Sequence, residues 1–290
     1  MRISILVVCI FVSVSVHAAP LTFNTALPVS QNEFIVRQQI IVNRSGNDPT
    51  MLARKRVQSS LVSTLAYGLN PKLALFTTIP LVNTQLRSAG ISQSSDGLGD
   101  SRLTARYTVW RNDQPGKTFR IAPFLGVKLP TGKKNTRDSR GFLPRSLQSG
   151  TGSLDVFGGV VATYSTVGWG LDAQFSAQQN SQYNGFKSGD VYRIDLSWQT
   201  RLLPTTLSVN TEYFIKGLIE LNYVHKDMSS VGGLDNINSG GTTINLVPGI
   251  QYANQRWIIE GGIQIPVSQN LNSTALENDY VARVGIRVNF

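Results

Sequence analysis

The sequence predicts an all-β chain that folds as a transmembrane, antiparallel, up-and-down β-barrel of about twelve strands, with short periplasmic turns and longer extracellular loops. Three observations predict it. Segments of period-two alternation recur along the chain with turn residues between them, and helical spacing with caps is nearly absent. The connections between these segments alternate short and long. The first twenty residues carry an export signal, and no later stretch could cross a bilayer as a helix. A membrane-bound mature chain would therefore have to be a closed barrel.

The N-terminus, MRISILVVCIFVSVSVHAAP, has a basic start at Arg2, an uncharged apolar run over 3–16 and a small-x-small site, Val16-His17-Ala18. This is the signal-peptide pattern, with cleavage expected after Ala18. The apolar run is too short for an anchor, which needs about 20 residues. Residues 1–18 are thus expected to be a signal peptide, 19–31 a short periplasmic N-terminal segment and 32–290 the outer-membrane barrel. The signal carries Cys9, the one cysteine of the chain, so the mature protein would have no disulfide and no thiol chemistry. Of the 27 Lys and Arg only Arg2 goes with it, which leaves 26 against 17 Asp and Glu. Such a balance often points to nucleic acid, but an exported chain meets anionic lipid headgroups or lipopolysaccharide instead. No nucleic-acid partner is expected. The implied location is the outer membrane of a Gram-negative bacterium.

Mean hydropathy is near neutral, at -0.06, as alternation requires. The predicted strands are 32–43, 53–67, 71–86, 97–111, 117–130, 153–166, 169–180, 189–201, 206–226, 239–253, 256–268 and 277–290. Short connections fall at 68–70, 112–116, 167–168, 202–205 and 254–255, and long ones at 44–52, 87–96, 131–152, 181–188, 227–238 and 269–276. Five short and six long connections suit an even-stranded barrel whose termini share a side, with tight periplasmic turns and longer external loops. A soluble sandwich has no reason to sort its loops.

The faces are legible in several strands. Trp169, Leu171, Ala173, Phe175 and Ala177 alternate with Gly170, Asp172, Gln174, Ser176 and Gln178. In the last strand Tyr280, Ala282, Val284, Ile286, Val288 and Phe290 should face lipid, and Arg283 and Arg287 the lumen. Tyr67, Tyr164, Trp169, Tyr192, Trp198, Tyr252, Trp257 and Tyr280 sit near ends of the apolar face, as interfacial aromatic girdles do. Two features resist the pattern. Pro80, Pro123, Pro248 and Pro266 lie inside strands, where a missing N–H breaks the ladder, so bulges or earlier strand ends are expected there. The first strand places Ile35 and Ile41 on its polar face.

The segments GLGD (97–100), KLPTG (128–132), LQSGTGSLD (147–155), LVPGIQY (246–252) and IQIPVSQ (263–269) occur in an order that resembles the outer-membrane transporter family labelled "meta-pathway of phenol degradation". The likeness runs from about Gly97 to Phe290. It implies a porin-like outer-membrane barrel that passes small organic solutes, often aromatic or apolar, and it brings no catalytic or binding residues with it. The terminal Phe290, preceded by alternating apolar residues, is similar to the signal that barrel-assembly machinery reads. Residues 21–31 are expected to be too short to fill a lumen, which argues against a hatch-gated mechanism.

If the apolar face meets lipid, charged residues of the other face line the pore. The candidate pore-lining residues are Arg54, Arg56, Arg102, Arg106, Arg120, Lys128, Asp172, Arg193, Asp195, Glu212, Lys216, Glu220, Glu260, Arg283 and Arg287, with Asp100 and Asp155 among the acidic groups. They serve either as a pathway that biases selectivity toward anions or as a structural charge network. A twelve-stranded barrel is wider than one that side chains fill and narrower than a porin. The loop 131–152 concentrates Lys133, Lys134, Arg137, Arg140 and Arg145, which would meet lipopolysaccharide phosphates outside or fold inward as a constriction. The alternatives are a structural or adhesive barrel acting through its loops, and a barrel phospholipase. The latter would depend on His225, the one histidine outside the signal, placed on the lipid-facing set near the outer rim. No G-x-S-x-G elbow accompanies it. With one histidine and no cysteine, neither a metal site nor a cofactor is expected.

Overall fold

The computed structural model describes residues 19–208 and 211–290; the expected signal peptide, 1–18, and Val209 and Asn210 of the expected ninth strand lie outside them. Twelve antiparallel strands form one closed sheet. They are β1 (Phe34–Asn47), β2 (Lys55–Gly68), β3 (Leu73–Ser88), β4 in three segments (Ile91–Leu98, Ser101–Tyr107 and Trp110–Gln114), β5 (Lys117–Leu129) and β6 (Asp155–Thr166). The remainder are β7 (Trp169–Gln179), β8 (Val191–Leu203), β9 (Tyr213–Lys226), β10 (Gly241–Asn254), β11 (Trp257–Leu271) and β12 (Glu277–Asn289). Each pairs with its neighbours in sequence, and β12 returns to β1, with Arg287 opposite Arg37, so that the sheet closes on itself; within β4 the first segment pairs with β3 alone and the third with β5 alone. The seam is tied at its end by Phe34 N to Phe290 O, 3.1 Å, and Phe290 N to Phe34 O, 2.8 Å.

The connections at this seam end are 69–72, 115–116, 167–168, 204–212 and 255–256; those at the other end are 48–54, 89–90, 130–154, 180–190, 227–240 and 272–276. We call these the turn end and the loop end. Two connections differ from expectation. The predicted long loop 87–96 is a two-residue turn at Ala89 and Gly90, both at positive φ (48° and 78°), and β3 and β4 continue beyond the expected rim to reach it. Two positive φ values give the tight hairpin geometry that matches strand twist; the Ser-rich segment after it lacked an apolar face and so read as loop. Conversely, β9 begins at Tyr213 and not at 206, because the ladder with β8 ends at the Leu203–Ile215 pair.

Exposure is inverted relative to a soluble protein. The exposed large side chains include Ile40, Leu61, Leu65, Ile79, Leu125, Phe175, Ile194, Ile219, Ile250, Ile259, Val284 and Ile286, all on outward positions. The buried side chains include Asp155, Asp172, Asp195, Glu220, Asn222 and Gln251, all inward. Only lipid outside and an enclosed polar interior satisfy both faces. Aromatic pairs gather on the outside of the turn end: Phe34 with Tyr67, Tyr164 with Trp169, and Tyr252 between Tyr213 and Trp257. This is the girdle that headgroup-level rings form.

The prolines fall at irregularities, as their missing donors require. Opposite Pro80, β4 breaks at Gly99 and Asp100, and Gly99 N donates to Pro80 O at 2.8 Å. Opposite Pro123, β4 breaks again between Arg106, paired with Phe124, and Trp110, paired with Ile121. At Pro266 the β10–β11 register shifts between Ile244 and Asn245. At Pro248 the register does not shift: the β9 ladder runs unbroken through its pair with Ile219, and the β10–β11 pairing lapses only at 247–248.

Candidate functional site in the barrel lumen

The segment before β1 crosses the lumen. This corrects the expectation that 21–31 is too short to fill it: Ala19, Leu21, Phe23, Ala26 and Val29 are all buried inside the barrel. The segment is short but extended, and it runs across the barrel instead of packing as a domain. On one wall, Glu220 of β9 accepts from Leu21 N at 2.5 Å, from Thr22 N at 3.2 Å and from the Thr22 hydroxyl. Asn222 Nδ2 donates to Thr22 Oγ1 at 3.0 Å. Gln251 Nε2 donates to Ala19 O at 2.7 Å, and Arg37 Nη2 to Pro20 O at 3.1 Å. Arg37 is itself fixed by Glu260, Nε to Oε1 at 2.7 Å.

Across the barrel, Ala26 N donates to Thr163 Oγ1 at 2.8 Å, the Thr163 hydroxyl donates to Asp172, and Gln199 Nε2 holds the other Asp172 oxygen at 2.7 Å. Arg106 grips the Thr25 and Leu27 carbonyls. Apolar contacts complete the plug. Leu21 packs with Leu218 and Val247, Phe23 and Ala26 with Ala122 and Val161, and Val29 with Ala66, Ala74, Ile35 and Phe76. The misfit of the first strand at Ile35 is thereby explained, since that side chain packs inward against the Val29 cluster.

Gly249 and Gly262 admit Leu21 to the wall; a Cβ at Gly262 would lie 2.4 Å from Leu21 Cδ1 and 2.9 Å from Pro248 O.

Nearer the loop end, the resemblance motifs come together. Asp100 of GLGD accepts from Gly132 N at 3.0 Å, and from Thr151 N at 2.8 Å and its hydroxyl at 2.6 Å. Lys128 lies 3.5 Å from Asp100, pairs closely with the fully buried Asp155, and donates to Thr151 Oγ1 at 2.6 Å. Gly132 and Gly150 are in backbone contact, where a Cβ on either would meet the other at 2.5–2.6 Å. Glycines are thus required because two chain segments touch, and the carboxylate staples the base of the 130–154 loop to the wall.

Of the candidate pore residues, Arg56, Arg102, Arg106, Arg120, Lys128, Asp172, Arg193, Asp195, Lys216, Glu220, Glu260, Arg283 and Arg287 occupy inward positions. Arg54 and Glu212 do not. Arg54 lies in the 48–54 loop, its Nε and Nη2 both donating to Asp48 Oδ1 and Nη2 also to Thr274 O, and its guanidinium holds the Asp48 carboxyl well below the usual carboxylate range. Glu212 is exposed in the 204–212 turn. Both differ from expectation because the strands begin later than predicted, by two residues at Arg54 and by seven at Glu212. The sequence reading missed Arg37, Arg201 and Lys226, all inward. Parity alone identifies Arg201 and Lys226; Arg37 was hidden by the isoleucines that share its face.

The basic loop engages its neighbours. Lys134 Nζ sits 4.5 Å over Tyr183, Arg145 5.5 Å over Phe186 and Arg137 3.7 Å over Phe142 of its own loop. Lys133 reaches the Asp96 carbonyl at 3.4 Å, and Arg140 donates its backbone N–H to Asp138 at 2.8 Å. His225 faces outward near the loop end, with Nδ1 2.9 Å from Thr242 Oγ1 and Nε2 3.3 Å from Asp227. Among the described residues no cluster of His, Cys, Asp and Glu could hold a metal ion.

An apolar exterior, a rim of aromatics and a polar interior crossed by a peptide define a transmembrane β-barrel. The chain belongs to the family described as "Putative MetA-pathway of phenol degradation", whose model matches residues 54–253. Among solved structures, an outer-membrane channel from Pseudomonas putida F1 is similar over 94% of this chain and 100% of its own, at 16% identity and a TM-score of 0.67. The beta domain of the Bordetella autotransporter BrkA is similar over 90% of this chain and 100% of its own, at 10% identity and a TM-score of 0.52. These likenesses establish the fold. No curated protein sequence matches the chain.

Proposed function

We propose that the protein is a passive outer-membrane channel for small organic solutes, and that residues 19–31 form a releasable plug. One observation carries the reading. The lumen is wide enough to admit an extended peptide, and side-chain hydrogen bonds hold that peptide in place. Family membership and the fold of a protein called a channel support it. In this reading 1–18 is the export signal, the turn end faces the periplasm and Phe290 guides assembly by the barrel machinery. The basic loop with Lys133 and Arg140 then faces lipopolysaccharide. Liposome swelling with the purified full chain tests it, with phenol and a similarly sized neutral sugar as solutes. Swelling is expected with at least one solute, and none with any would contradict the channel.

The protein acts as a conduit, not an enzyme. The contact of His225 with Thr242 is the one that the β9–β10 register imposes on directly opposed residues. The hydroxyl belongs to a ladder threonine, and no nucleophile elbow presents it. His225→Ala is expected to leave phospholipid hydrolysis by the purified protein at background; a fall from a measurable rate would revive the lipase alternative.

A further inference from the structure

Within that channel reading, the geometry points to a recognition site for small organic carboxylates on the loop-end side of the plug, built by Arg102, Arg193 and Arg283 with Arg56 and Lys226 above them. Each lumen carboxylate is already engaged: Glu220 by the plug backbone, Glu260 by Arg37 and Gln39, Asp172 by Thr163 and Gln199. Asp100 and Asp155 share Lys128, and Asp195 binds Arg193 at 3.0 Å and Asn222 at 2.9 Å.

The bases are not matched in the same way. Among the described residues, Arg56, Arg102, Arg283 and Lys226 have no carboxylate partner. Arg102 donates to the neutral Gln178 at 2.8 Å, Arg283 to Gln264 at 3.2 Å and Arg56 to Gln58. The Nε atoms of Arg56 and Arg283 are buried without a hydrogen-bond partner. These cations act on one another, Arg102 and Arg283 with Arg193, and Lys226 with Arg56, and the acids that act on Arg102 (Asp155) and on Arg283 (Glu220 and Glu260) are each held by another group. Like charges brought together in a confined, poorly screened space repel, and an anion between them removes that cost. Guanidinium forks present paired N–H donors to a planar carboxylate. Arg102 is further oriented by stacking 4.0 Å over the Phe157 ring.

Arg102 pairs with Lys128 and Arg193 with Val224, both displaced toward the loop end from Arg106 and Glu220, which hold the plug. A solute entering from the loop end meets the cations before the plug, so the site selects what arrives there.

The test measures reversal potentials of the full-length protein in planar bilayers, first in a potassium chloride gradient and then with benzoate opposed to benzylammonium. The expected anion-to-cation permeability ratio is roughly ten, for benzoate as for chloride. It should fall toward one in an Arg102→Gln, Arg283→Gln double variant, with heat-modifiable gel migration confirming that the barrel is folded. A preference for chloride alone would reduce the site to an inorganic-anion filter and overturn the carboxylate assignment. Cation preference, or anion preference unchanged in the double variant, would overturn the site while leaving the channel standing. Absence of any conductance would remove the channel reading and the site together.

Discussion

Glu220→Ala is expected to raise the time-averaged conductance of the reconstituted protein roughly ten-fold or more. The Glu220 carboxylate accepts three bonds from Leu21 and Thr22, and it is fully buried. A hydrogen bond to a charged group contributes about 1.5–3 kcal/mol, and each 1.4 kcal/mol is a factor of about ten in an equilibrium. Losing the set therefore weakens the hold on the plug by at least one such ten-fold step. Arg37, Gln251, Thr163 and Arg106 still hold the peptide, so release is partial and reversible, and it shows as longer openings in single-channel records. Ile219→Ala, one residue away on the lipid face, is the control and should leave conductance unaltered. Equal conductance of Glu220→Ala and wild type would mean that the plug does not limit flow.

The second large effect is on stability. Lys128→Met leaves Asp155, fully buried, and Asp100, nearly so, without their cation. Removing one partner of a buried ion pair typically costs about 3–5 kcal/mol, because the remaining charge stays desolvated. The expected outcome is a lower midpoint in urea unfolding from detergent micelles, together with faster proteolysis within 130–154, whose base Asp100 and Thr151 secure. Combining Lys128→Met with Asp155→Asn should recover part of the loss, since the stranded charge is then gone. A double variant as unstable as the single one would show that the lysine acts through packing.

The barrel was legible because its alternation is imposed by two solvents. Lipid demanded Tyr280, Ala282, Val284 and Ile286 on one side of β12, and the enclosed interior demanded Arg283 and Arg287 on the other. Strand ends were less legible, since no solvent boundary acts on a strand once it passes the rim. For that reason the pattern predicts a loop at the Ser-rich start of β4 and a wall position at Glu212. The short motifs were recognisable as a resemblance, but their physical role, Asp100 bridging Gly132 and Thr151, joins positions far apart in the chain. The plug was the main omission. Its signal was present in the sequence, because Leu21, Phe23, Ala26 and Val29 are apolar residues with no strand of their own to pack in. Their partners, Leu218, Val247, Val161 and Ala74, are apolar residues set among the inward polar positions.

Covalent tethering of the plug tests the account most directly. Thr25 Oγ1 and Thr163 Oγ1 lie 3.0 Å apart, and the chain's only native cysteine is Cys9. In a Thr25→Cys, Thr163→Cys protein, single-channel recording before and after reduction compares a locked plug with a free one in the same molecule. The expected result is a silent oxidised protein that opens on reduction to at least wild-type conductance, since the Thr163 hydroxyl that helps to hold Ala26 is also gone. Equal conductance in the two states, with the disulfide confirmed by mass, would contradict it.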